Sequence, residues 1–169
     1  CALIFLITTF PVAAAEPPID LQGHWAAPQV TAWINQGLLS SYPDGTFRPD
    51  QPVTRSQFIT MTNAVLGLKE KALVGYSDVK PEDWFVDEIA KAKKAGYISG
   101  YPDNTIKPNN SISRQEIAII LAQILRLELL STSDSKFVDS SQISSWSKGA
   151  FGAVIAQGIL TGFPDGTCR

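Results

Sequence analysis

Two arginines stand inside one short signature, in Thr54-Arg55-Ser56-Gln57 and Ser113-Arg114-Gln115-Glu116. The hydroxyl residue and the Gln or Glu three places later form a capping box, so each arginine occupies the first position of a helix. A guanidinium there can grip a planar carboxylate with two parallel bonds, where Lys would be only a point charge. Free backbone N–H groups and the helix dipole add to the attraction for an anion. Arg55 and Arg114 are therefore candidates for anion recognition, and the plainer alternative is two solvated helix ends. Catalytic chemistry has no comparable set. The chain has one histidine, His24, and carries no G-x-S-x-G, P-loop or G-x-G-x-x-G. Cys1 and Cys168 lie at opposite ends with no second thiol or His at metal-ligand spacing. No catalytic residue, cofactor or metal is expected.

Composition agrees with a folded binding protein. Of 169 residues, 44% are hydrophobic and 18% charged, too apolar for wholesale disorder. The net charge of −2 comes with acids and bases interspersed, and no run of basic residues exceeds Lys93-Lys94. A phosphate-backbone binder needs clustered positive charge, so nucleic acid is excluded as a partner. At the start, Leu3-Ile4-Phe5-Leu6-Ile7 and then Val12-Ala13-Ala14-Ala15 precede the polar Glu16-Pro17-Pro18. An apolar stretch followed by small residues reads as a partial secretion signal over residues 1–15, too short for a membrane span. The expectation is an extracytoplasmic protein with a mature start near Glu16.

The elements that must position the arginines repeat three times. Tryptophans at 25, 84 and 146 are each followed 12 residues later by Gly37, Gly96 and Gly158. The aromatics Tyr42, Tyr101 and Phe163 follow each Trp by 17 residues and open the runs Pro43-Asp44-Gly45, Pro102-Asp103-Asn104 and Pro164-Asp165-Gly166. An aspartate, Asp20, Asp78 or Asp139, precedes each Trp. His24 has Asp83 and Ser145 at its equivalent places, so it is no general base.

Each repeat translates into structure. A first helix begins at the Trp, with Trp25, Val30, Trp33 and Ile34 or Trp84, Phe85, Ile89 and Ala92 as its apolar stripe. Glycine ends it in a left-handed cap. Pro, Asp and Gly or Asn then make a turn in which Asp44, Asp103 and Asp165 bond back to the backbone. A second, capped helix follows in the first two repeats, through Phe58, Ile59, Met61, Thr62, Val65 and Leu66, and through Ile117, Ile120, Leu121, Ile124 and Leu125. The fold class is mainly α, built from tandem helix–loop–helix repeats over 20–70, 76–130 and 137–169. The third is truncated before its capped helix, which would start near position 175.

The ordered set of Asp, Trp, Gly, aromatic-Pro-Asp-Gly-Thr and Thr-Arg-x-Gln or Ser-Arg-x-Glu resembles the S-layer homology (SLH) module across about residues 20–169. The resemblance implies a pseudo-threefold helical spindle with grooves between modules. It also implies non-covalent anchoring at the cell wall, by binding acidic, often pyruvylated, polysaccharide linked to peptidoglycan. On that basis the glycan-binding candidates are Arg55, Arg114, Trp25, Trp84, Trp146, Gly45, Gly100 and Gly162. For the tryptophans, core packing is the first reading and stacking on sugar rings the second. The rival roles are self-association into a surface lattice, and service as the N-terminal anchor of a larger S-layer protein, outer-membrane porin or envelope enzyme.

Overall fold

The computed structural model describes residues 17–130 and 137–168. The secretion signal read over residues 1–15 lies outside them. Five α-helices are present among the described residues: α1 (Ala27–Asn35), α2 (Arg55–Leu66), α3 (Val86–Ala95), α4 (Arg114–Ile124) and α5 (Lys148–Ala156). Short 3-10 turns, Ile19–Leu21 and Ser140–Gln142, precede α1 and α5. The described residues hold no strand, only a single antiparallel bridge between Thr54 and Ser111. No described helix is long and apolar enough to cross a membrane. The chain divides into two compact units at residues 51 and 52.

The local signals behave as their chemistry dictates. Both capping boxes form: Gln57 N–H donates to Thr54 Oγ1 while Thr54 N–H donates to Gln57 Oε1. Ser113 and Glu116 make the same reciprocal pair. Gly96 caps α3 at φ 80°, a backbone angle that is costly for a residue with a Cβ. In all three turns the aspartate accepts both the N–H and the hydroxyl of the Thr two residues on, with hydroxyl bonds of 2.6 Å each. Those Thr hydroxyl bonds, helped by the backbone, hold the Asp44 and Asp103 carboxyls below the usual carboxylate range.

The first helices depart from expectation. α1, α3 and α5 begin two residues after their tryptophans, with no side-chain cap at the start. Trp25, Trp84 and Trp146 thus lie in the turn before each helix, and they are 87%, 62% and 58% exposed. The core reading of the tryptophans is corrected. The inward place in the second and third repeats goes to the next residue, buried Phe85 or Ser147.

Within the second unit, packing crosses the sequence repeat. α2 packs on α3, and α4 packs on α5. One core gathers Ile59 of α2 with Phe85, Ile89 and Ala92, together with Tyr97, Ile106 and Ile120. The other joins Ala118 and Ala122 of α4 to Ile143, Phe151 and Val154. The capped helix of one repeat therefore shares its core with the first helix of the next. The inner face of α2 is also more polar than its apolar residues suggest: Arg55, Ser56 and Asn63 are buried there, while Val65 is exposed. Asn63 is satisfied by the Tyr97 hydroxyl at 2.6 Å and by two acceptors of Glu88 at 2.8 Å. A buried amide with all these bonds made is tolerable, and without them it is costly.

In the first unit, Pro18, Leu21 and Val30 are the buried apolar residues among those described. Asp20 ties the loop after the turn by accepting the N–H groups of Phe47 and Arg48. His24 receives the Ala26 N–H and faces Asp50 at 3.2 Å, so it fastens the approach to α1.

Candidate functional site

The arginine of α2 is held rather than solvated. Arg55 is 7% exposed. Its Nε donates to the Ile106 carbonyl at 2.8 Å, and Nη1 lies 3.1 Å from Glu116 Oε1. The Tyr101 ring centre stands 5.0 Å from the guanidinium carbon, and the Tyr101 hydroxyl donates a short bond to the same Glu116 oxygen. The other Glu116 oxygen accepts the Ser113 N–H and hydroxyl at 2.8 and 2.9 Å. One carboxylate thus joins the capping box of α4, the arginine of α2 and the aromatic of the turn. Burial alone would raise the Glu116 carboxyl. The bonds from Ser113 and Tyr101 and the Arg55 charge outweigh it and hold the group below its usual 4.5. Burial first, and then the bond to Glu116, push the Tyr101 phenol up to about 12, so it stays a neutral donor.

The expectation that free N–H groups at the start of α2 await an anion is corrected. Arg55 N–H donates to Asn110 O and Ser56 N–H to Pro108 O, each at 2.9 Å. A neighbouring loop has filled those donors, and the side chain alone faces the site.

A cavity of about 520 Å³ opens beside this cluster. Arg55, Gly100, Tyr101, Glu116, Gln123 and Trp146 are among the residues lining it. Three of the eight sequence candidates, Arg55, Gly100 and Trp146, meet here, and they come from three successive repeats. Gly100 has a packing reason to be glycine: φ is 77°, and a Cβ would stand 2.5 Å from the Tyr76 ring and 2.9 Å from Thr105 O. Sequence reasoning missed Tyr101, Glu116 and Gln123 as cavity residues. Tyr101 had a signal in its constant spacing from the Trp. Glu116 was read only as a cap, and Gln123 carried no signal.

The other candidates lie elsewhere. Arg114 lines a smaller cavity of about 130 Å³ with Asp139, Phe151 and Cys168. Its Nη2 donates to Thr161 O at 2.5 Å, and its guanidinium carbon stands 5.1 Å from the Phe163 ring centre. The Arg114 Nε is buried and has no partner among the described residues. Gly162 is pressed against Phe137 and the Thr167 carbonyl, the same packing need as at Gly100. Trp84 lies edge-on to Phe85. Trp25 tilts over His24, and Gly45 has open space around it; both belong to the first unit.

The repeats, their capped helices and this inter-repeat cavity define a class of tandem helical binding module. The sequence profile of the S-layer homology domain matches residues 20–59, 75–118 and 136–167, and the chain belongs to that family. It is 37% identical over 154 residues to cell surface glycoprotein 1 of Acetivibrio thermocellus, covering 84% of this chain and 6% of that protein. The exoglucanase XynX of the same organism is 32% identical over 152 residues, covering 86% of this chain and 14% of the enzyme. Its cellulosome-anchoring protein is 36% identical over 122 residues, covering 69% of this chain and 27% of the relative. The chain thus spans a small part of each of these relatives. Family membership and these surface relatives place it outside the cytoplasm, at the cell envelope, in an anchoring role.

Proposed function

We propose that the chain anchors its parent protein by holding peptidoglycan-linked wall polysaccharide, non-covalently, in the cavity lined by Arg55, Gly100, Tyr101 and Trp146. The observation that carries this reading is the convergence of residues from three repeats on one cavity of about 520 Å³. That volume lies within the range of small-molecule sites. Trp146 and Tyr101 supply flat apolar surface for sugar C–H faces, and Gln123 supplies an amide for hydroxyl or acetamido groups. An acidic, pyruvylated polymer is the favoured ligand. Arg55 sets a positive charge in the cavity wall, which favours an acidic group on the ligand even though its Nε and Nη1 already serve Ile106 O and Glu116.

Co-sedimentation with purified wall, intact or stripped of its acidic polymer, tests the reading. Binding is expected to intact wall and to be lost on stripping. Trp146→Ala should weaken it by about 10-fold or more with an unchanged helical CD spectrum, since exposed aromatics at a binding centre carry much of the affinity. Equal sedimentation with stripped wall overturns it.

A second reading concerns the whole protein: the chain is the anchoring part of a larger surface-layer protein, porin or envelope enzyme. The observation favouring it is that the matched region makes up 6% to 27% of the relatives named above, one of which is called an exoglucanase. Sequencing the gene on both sides of these codons decides it.

A further inference from the structure

We infer that Asp78 is a positioning residue for Arg55, acting through the peptide between Ile106 and Lys107. This rests on the reading of the Arg55 cavity as the wall-binding site. Asp78 precedes α3 and is not among the residues that line the cavity. Its two carboxylate oxygens accept the Ile106 N–H at 2.9 Å and the Lys107 N–H at 2.8 Å. The Ile106 carbonyl belongs to the same planar peptide as the Lys107 N–H, and in a trans peptide the two point in opposite directions. With the N–H fixed on Asp78, the carbonyl is turned away from Asp78 and onto Arg55 Nε at 2.8 Å. Lys107 sits at φ 50°, a left-handed angle that a residue with a Cβ holds only when its surroundings impose it. Asp78 supplies that imposition, and so fixes a guanidinium it does not touch.

The other repeats provide internal controls. Asp20 accepts the N–H groups of Phe47 and Arg48, with Arg48 at φ 60°. Asp139 accepts the Cys168 N–H at 2.8 Å. Among the described residues, however, Ile106 is the only one of these loop positions whose carbonyl receives an arginine Nε; Arg114 Nε has no partner. Among the described residues, the relay from aspartate through peptide to arginine is traced in full at the second repeat.

The test uses the full chain and two readouts: hydrogen exchange of the Arg55 Nε–H by NMR, and co-sedimentation with purified wall. Asp78→Ala should speed the exchange about 10-fold and weaken wall binding about 10-fold, the loss of roughly one well-placed hydrogen bond. Asp78→Asn keeps one acceptor and should fall between Ala and wild type; it carries the test if the Ala variant does not fold. Asp20→Ala should leave the Arg55 signal unchanged. Wild-type exchange protection in both Asp78 variants overturns the positioning role. Arg55→Ala protein that stays folded and binds wall like wild type overturns the reading of the cavity, and with it any part for Asp78 in binding, while the exchange result still decides the relay.

Discussion

Arg55 and Arg114 share a signature, a helix position and a completed capping box, yet they sit in different chemistry. Arg55 is sealed between Ile106 O and Glu116, with a tyrosine whose hydroxyl ties to the same carboxylate. Arg114 rests on Thr161 O and a phenylalanine ring, and no carboxylate among the described residues lies within ion-pairing distance of it. The difference is supplied by the following repeat. Tyr101 and Glu116 answer Arg55, whereas Phe163 answers Arg114 without a hydroxyl. Two signatures that share the arginine and the capping-box pattern therefore build the same kind of helix start, and their neighbours decide whether the arginine is a buried strut or a cation without a carboxylate partner among the described residues.

The sharpest way to break this comparison is to remove each guanidinium. Arg55→Ala removes a buried guanidinium and the ion partner of half-buried Glu116, and should destabilise the second unit by about 3 kcal/mol, the lower end of the scale for breaking a buried pair. Arg114→Ala removes no ion pair among the described residues and should cost about 1 kcal/mol or less. Urea denaturation of both variants checks it, and equal losses would abolish the distinction.

A milder change copies one site into the other. Tyr101→Phe gives the Arg55 site the aromatic of the Arg114 site and should cost about 1 kcal/mol, the usual worth of one hydrogen bond. Phe163→Tyr gives the reverse exchange, and no Glu116 equivalent among the described residues awaits its hydroxyl. Its midpoint in urea should stay within about 0.5 kcal/mol of wild type.

The smallest effect is read with pH. The folded Glu116 carboxyl titrates below its unfolded value, so the unfolded chain binds more protons in the window beneath the usual 4.5. Its contribution is fully present above that value and is lost as the pH falls through the folded pKa. Glu116→Gln should flatten this part of the stability profile relative to wild type. An unchanged slope would mean that other carboxylates carry the acid sensitivity.

What was legible in the sequence is the set of features that depend on near neighbours. The capping boxes join residues three apart, the Asp–Thr turns residues two apart, and Gly96 ends a helix through its own backbone freedom. Such contacts are made wherever the chain goes, so spacing and residue type suffice to find them. The repeat itself, and with it the family, follows from the same local signatures recurring at fixed intervals. Tertiary structure alone decided the rest. It paired α2 with α3 and α4 with α5, turned the tryptophans outward and buried Arg55. It also brought Arg55, Gly100 and Trp146 to one cavity. The bonds that fix Arg55 span 51 and 61 residues of sequence, and a side chain's partner at that range is set by how helices pack, which no local pattern of residues records.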